Sequence, residues 1–216
     1  MLTVCIQAGG QSSRMGEDKA LKPFLGRPLI QRVIERLSPI ADELIVTTNR
    51  PADYDFLNLR LFPDIMPDRG ALGGLYTAIA SATQPIVAVV ACDMPFASSA
   101  LIEAAGRLLV DNEADVVIAR EAPRAERAGR SGGGYEPLHA VYRRETCLPA
   151  IEAAIEADQW KVIAWFPTVK VHVLTPEDVR QYDPSGLAFW NVNTPEEFAQ
   201  AEKIATSQSA PGTARG

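Results

Sequence analysis

A chain of 216 residues, 47% hydrophobic and 22% charged, carries enough apolar mass for one good core and needs neither a metal nor disulfides to hold it together. Its net charge of −6, from 21 basic against 27 acidic side chains, argues against a surface built for nucleic-acid backbone, so any phosphate ligand must be gripped locally. Three cysteines without a close pair and two histidines make no structural zinc set, and apolar runs such as residues 85–92 fall far short of the ~20 residues that span a bilayer.

The first residues enter an apolar run directly, with neither the basic stretch nor the cleavage site of a signal peptide, so the expected compartment is the cytoplasm. Runs of buried-strand length fall at 2–7, 43–48, 59–62, 85–91 and 115–119. Between several of them, apolar residues recur at helical spacing: Leu29, Val33, Ile34 and Leu37; Leu75 and Ile79; Leu101, Ala105 and Leu108. Alternating strand and helix predicts a doubly wound α/β sheet. Residues 121–134, with four glycines, one proline and three arginines, break that rhythm and read as a surface loop. A strand at 136–142, a helix at 145–156 and a strand at 169–174 follow. Two helix starts carry capping signals, Thr175-Pro176-Glu177-Asp178 and Thr194-Pro195-Glu196-Glu197, each with threonine at the cap, proline first in the helix and an acid to reach back. A single domain over 1–206 is expected, with small polar residues 207–216 as a flexible tail.

The segment Gln7-Ala8-Gly9-Gly10-Gln11-Ser12-Ser13-Arg14-Met15-Gly16-Glu17-Asp18-Lys19 places a glycine-rich turn at the carboxyl end of the first strand, where open α/β sheets bind ligands. Gly9 and Gly10 lack the Cβ atoms that would hold a ligand off the main chain, and Arg14 and Lys19 bring two cations to the same anion, a combination suited to a triphosphate. It is not a Walker loop, because Gly10 and Gly16 are separated by five residues and Glu17 follows. Nor is it a dinucleotide fingerprint, because Gly9 and Gly10 are adjacent. A plain strand–helix turn with solvated Arg14 and Lys19 fits the segment alone as well.

In Ala91-Cys92-Asp93-Met94-Pro95 an aspartate ends an apolar strand and faces the same crevice. Mg2+ is commonly held by one or two carboxylates plus phosphate oxygens, which makes Asp93 the candidate metal ligand; a helix cap or a turn at Pro95 suits it equally. Asn49 and Asp64 stand at equivalent strand ends. Guanine presents N1–H and its N2 amino group side by side, two donors one carboxylate can accept, so Asp64 is the candidate base reader, with Asn49 on base or ribose or else a turn former. Gly70-Ala71-Leu72-Gly73-Gly74 reads as a second close approach of main chain to ligand, leading into a helix at Leu75, or as a plain loop.

Taken together, Ala8-Gly9-Gly10, Ser12, Arg14-Met15-Gly16, Asp18-Lys19, Asp64, the glycines from Gly70, Cys92-Asp93-Met94-Pro95, the run Glu136-Pro137-Leu138-His139-Ala140-Val141-Tyr142 and Asn191-Val192-Asn193-Thr194-Pro195-Glu196-Glu197 resemble the molybdenum cofactor guanylyltransferases, in order and over most of the chain. The resemblance implies a Rossmann-like nucleotidyltransferase with a mostly parallel sheet and helices on both faces. It would transfer GMP from GTP to the phosphate of molybdenum-molybdopterin, using Mg2+ and releasing pyrophosphate, with molybdoenzymes or delivery proteins as further partners and neither nucleic acid nor membrane. Carried over by position, Gln7, Ala8, Gly9, Gly10, Lys19, Asn49, Asp64 and Asp93 would bind the nucleotide. Arg14, Lys19 and Asp93 would be catalytic, Asp93 would hold the metal, and Pro137, His139, Asn191 and Asn193 would line the pterin side.

The chain departs from the family pattern at Gln7, usually leucine, and at Ala71, often proline; the loop with Arg124, Arg127 and Arg130 lies outside it, as a clamp for the pterin phosphate or a solvated charged loop. The acceptor phosphate is already anionic, so attack on the α-phosphorus needs no base, in keeping with the lack of a Ser/His/Asp or Cys/His pattern. Transfer of cytidylate to a pterin or of a nucleotide to a sugar phosphate, and a non-catalytic molybdopterin carrier, are the competing readings.

Overall fold

Along β1 (Leu2–Gln7) the pleat sends Val4 and Ile6 into one apolar layer and Cys5 into the other, all three fully buried. This is an interior strand of the computed structural model, which describes residues 1–8, 18–120 and 134–209. A small hairpin, β2 (Pro23–Phe24) and β3 (Arg27–Pro28), turns through Leu25 and Gly26 at φ of +50° and +83°. There follow α1 (Leu29–Leu37), β4 (Glu43–Thr47), β5 (Arg60–Phe62), α2 (Gly70–Ser81), β6 (Ile86–Ala91), α3 (Ser99–Asp111), β7 (Val116–Ala119), β8 (His139–Arg143), α4 (Arg144–Glu156), β9 (Val171–Leu174), α5 (Pro176–Tyr182) and α6 (Pro195–Ser209).

The seven-stranded sheet runs β5-β4-β1-β6-β8-β7-β9. Every neighbouring pair is parallel except those of β8, which is antiparallel to β6 and β7. A parallel return would need a helical crossover, and residues 121–134 contain no helical pattern, so the chain comes back beside its outgoing strand in reverse. Ile30, Val33, Leu101, Ile102 and Val179 from α1, α3 and α5 cover one face; Leu75, Ile79, Ile151 and Ile155 from α2 and α4 cover the other. Cys5 and Cys147 are buried thiols, pushed up to about 12 by desolvation. A third cluster seats the hairpin on α6, with the Phe24 and Phe198 rings edge to face at 5.5 Å. None of the helices among the described residues is long and apolar enough to cross a membrane.

Both threonine caps form. Thr175 accepts the Asp178 N–H and Asp178 reaches back to the Thr175 N–H; Thr194 accepts the Glu197 N–H at 3.1 Å and Glu197 accepts the Thr194 N–H at 3.1 Å. Two expectations are corrected. Helix α6 continues through Ser209, three residues into the expected tail, its last turns tied by Thr206 and Ser207 hydroxyls donating to the Glu202 and Ile204 carbonyls. Residues 70–74 are not a loop; they are the first turns of α2, entered through Gly70 at φ +56°.

The glycines there answer to packing. A Cβ on Gly73 would stand 2.7 Å from the Met66 carbonyl oxygen and 2.7 Å from the Arg69 Cβ, whereas one on Gly106, inside α3, would meet nothing within 4 Å. Gly106→Ala should therefore stabilise the fold by roughly 0.5–1 kcal/mol through helix propensity, while Gly73→Ala should cost ~1–3 kcal/mol from overpacking. Urea denaturation of the two variants, with opposite shifts in midpoint, checks this.

Candidate active site

Chain connectivity passes from β1 to β4 on one side while β6 lies on the other, so the crevice opens between the carboxyl ends of β1 and β6. Lys19 sits at its edge. The single helical turn 19–21 is capped by Asp18, whose Oδ1 accepts the Ala20 N–H at 3.1 Å, and Ala20 is fully buried. The Lys19 ammonium reaches across to the loop before α6 and donates to Asn193 Oδ1 at 3.1 Å. Gly9, Gly10 and Arg14, like Arg124, Arg127 and Arg130, lie outside the described residues.

Asp93 follows the last residues of β6. The Cys92 N–H donates to the Gln7 carbonyl at 3.0 Å, and the Asp93 carbonyl accepts the Val192 N–H at 3.0 Å, lacing the Asn191–Asn193 loop to the strand end. Burial raises the Asp93 carboxyl above the usual range; Lys19 works against that rise and Glu197 adds to it. Helix capping does not explain this aspartate, because Ser98 caps α3 by accepting the Leu101 N–H at 3.2 Å. Lys19 and Asp93 thus share one side of the molecule.

At the ends of β4 and β5, Asn49 and Asp64 bond to each other. Asn49 Nδ2 donates to Asp64 Oδ2 at 2.7 Å and the Asp64 N–H donates to Asn49 Oδ1 at 2.9 Å, while Asn49 stays exposed and Asp64 partly buried. Asn49 therefore orients the carboxylate, and a carboxylate oxygen keeps a second acceptor site beside each bond it makes. Gln7 is buried beneath this rim, pointing to the α2 side of the sheet, where a Cβ on Gly74 would stand 2.6 Å from its Nε2. The Ala8 N–H joins the Thr47 carbonyl at 2.8 Å.

The pterin-side residues divide. Asn193 faces Lys19, and its own N–H donates to Glu197 at 2.7 Å. Asn191 Oδ1 is buried with no hydrogen-bond partner among the described residues. The Pro137 carbonyl accepts the Tyr142 hydroxyl at 2.7 Å. His139 does not line the crevice: it is 3% exposed, packed among Leu101, Ile102, Val117 and Leu174, with its Nε2 accepting the Ser98 N–H at 3.1 Å. Its ring meets Phe189 edge to face at 5.2 Å, so its contribution is to support the loop that leads to Asn191. The physical reason is the pleat, which puts His139 on the same face as the core residue Val141.

Residues that motif reading passed over complete the rim. Tyr54, fully buried, and Arg50 both donate to Asp18 Oδ2, at 2.7 and 2.5 Å. The signal available was a lone tyrosine in the polar stretch 50–58, where an aromatic ring needs a place to go.

Residues 4–171 match the model of the MobA-like NTP transferase domain. A relative from Carboxydothermus hydrogenoformans, named a probable molybdenum cofactor guanylyltransferase, is 34% identical over 94% of this chain and 96% of its own. The crystal structure of molybdopterin-guanine dinucleotide biosynthesis protein A from Archaeoglobus fulgidus superposes with a TM-score of 0.78 at 23% identity, covering 95% of this chain and 99% of that one. That of 2-C-methyl-D-erythritol 4-phosphate cytidylyltransferase from Thermus thermophilus gives 0.65 at 16% identity over 94% and 98%. The two structures speak to the fold.

Burial holds the His139 imidazole down at about 4, against 6.5 in the unfolded chain. Its stabilising effect is complete above pH 6.5 and is lost as pH falls toward 4, because the unfolded state takes up the proton first. Between pH 7 and 4 the parent should lose ~2–3 kcal/mol more stability than His139→Gln, measured by denaturant titration at each pH.

Proposed function

This chain belongs to the MobA-like NTP transferase domain family, and we propose that it transfers GMP from GTP to the phosphate of molybdenum-molybdopterin, releasing pyrophosphate. The observation that carries the reading is the Lys19–Asn193 bond at 3.1 Å, laid beside Asp93: it brings Lys19 and the Asn191–Asn193 loop to one crevice, where two substrates can meet.

In the reaction, an oxygen of the acceptor phosphate forms a bond to the α-phosphorus while the bond to the β-phosphate oxygen breaks and pyrophosphate leaves. The acceptor is anionic, so no residue must remove a proton, and His139, held neutral behind the crevice, is not asked to. The work of the chain is alignment and charge neutralisation. Lys19, with Arg14, neutralises the departing pyrophosphate. Asp64, oriented by Asn49, accepts the N1–H and N2–H donors of guanine. Asn191 Oδ1, a buried acceptor without a donor, suits an N–H of the pterin.

Asp93 fits a divalent ion, Mg2+ in this reading: it is a hard oxygen donor whose desolvation is eased, among the described residues, by Lys19 and by a backbone hydrogen bond. Among the described residues no group of three or more His, Cys, Asp or Glu could hold a metal unaided, so phosphate oxygens and water must complete the shell. When bound there, the ion would neutralise the nucleotide's phosphate charge.

The test is pyrophosphate release from the isolated protein with molybdopterin, Mg2+ and GTP, CTP or ATP in turn. GTP should be preferred. Preference for CTP would move the chain to a cytidylyltransferase, and binding of molybdopterin without any release would make it a carrier. Asp93→Ala should cut turnover by at least ~10²-fold with the fold intact by circular dichroism. Asp64→Asn should narrow the preference for GTP over ATP by ~10-fold or more, since the amide offers one acceptor where the carboxylate offered two.

A further inference from the structure

We infer that Asp18, clamped by Tyr54 and Arg50, is a positioning residue that aims Lys19 at the polyphosphate of the nucleotide. The inference deepens the function proposed above and rests on it. The Asp18 carboxylate takes three donors: the Ala20 N–H at 3.1 Å on Oδ1, and on Oδ2 the Tyr54 hydroxyl at 2.7 Å and the Arg50 guanidinium at 2.5 Å. A carboxylate held at both oxygens fixes its own side chain, and through it the peptide that carries Lys19.

The anchor is the core. The Tyr54 ring is fully buried in the cluster with Val4, Ile6 and Ala20, so its hydroxyl is a stationary point. The Arg50 guanidinium is exposed but also pairs with Asp53 at 3.4 Å, and the Arg50 backbone N–H donates to Thr48 Oγ1 at 3.2 Å. Lys19 is thereby fixed twice, by the clamp at its backbone and by Asn193 at its ammonium.

The clamp also has a direction. Arg50 and Tyr54 follow Asn49 on the same excursion between β4 and β5, the excursion that orients Asp64. One short segment therefore sets both the cation for the phosphates and the pair for the base. A cap that only closed a turn would need the Asp18–Ala20 bond and neither of the other two.

The experiment is a set of double-mutant cycles in the full-length chain: Asp18→Asn, Tyr54→Phe and Arg50→Ala, each alone and with Lys19→Ala. Both GTP affinity and kcat/KM for pyrophosphate release are read with Mg2+. Alone, Asp18→Asn should lower kcat/KM by ~10–100-fold, and Tyr54→Phe and Arg50→Ala by ~3–10-fold. In the Lys19→Ala background each loss should shrink to under ~2-fold, because the residue through which the clamp acts is gone. Equal losses with and without Lys19 would overturn the inference and make the clamp purely structural. Should Asp18→Asn fail to fold, Tyr54→Phe, which removes one oxygen, and the surface change at Arg50 decide it. A parent chain that neither binds nor turns over GTP overturns the proposed function and the inference together; a parent that does, with additive losses, overturns the inference alone.

Discussion

Partly burying a carboxylate is costly unless a cation travels with it, and at the end of β6 the described residues offer the partly buried Asp93 a single ammonium. That ammonium, on Lys19, is shared with Asn193, which arrives 174 residues later in the chain. Much of the architecture serves this arrangement. The hairpin after Lys19 is seated on α6, the helix that begins beside Asn193 is closed by Glu197, and the Val192 N–H is spent on Asp93 itself. The first and last segments of the chain are thus held to one another at the point where their charges are needed, while the sheet between them supplies a fixed floor.

That floor owes its precision to the period of two along each strand. In β1 and β6, Val4, Ile6, Ala88 and Val90 belong to one layer, and Cys5, Val87 and Val89 to the other. The strand ends inherit this parity. Gln7, odd-numbered like Cys5, is turned toward α2 and pressed on Gly74, so the helix can approach only because position 74 has no side chain. Gln7 thereby brings a buried amide against the first turns of α2.

The apolar runs and the two threonine caps were legible because they are local: a strand that must be buried on both faces and a helix start that must satisfy its own N–H groups write their needs into consecutive residues. Asp93 was legible for a related reason, as a charge that ends a buried strand. The Lys19–Asn193 bond was not, since no spacing rule links residues so far apart. The resemblance puts His139 among the residues of the pterin side because a motif surrounds it, although its position two residues before Val141 assigns it to the core face. Residues 70–74 read as a close main-chain approach or a loop because glycine is a poor helix former, and the carbonyl of Met66 and the amide of Gln7 explain why nothing larger stands there. Tyr54 gives a weak signal, a ring two residues before Phe56 in a segment that matches no motif, and its partners come from the core and from Asp18.

The reversed strand β8 has an evolutionary corollary. Arg120 and Tyr135 pair as an isolated antiparallel bridge, and the Glu136 N–H donates to the Ala119 carbonyl at 3.1 Å, so the sheet is sealed immediately before and after the excursion of residues 121–133. Register on either side is settled without reference to what lies between. Insertions, deletions and changes of charge between those two bonds can therefore accumulate at little cost to the register of the sheet, and a lineage is free to vary there while the strands on either side keep their pairing.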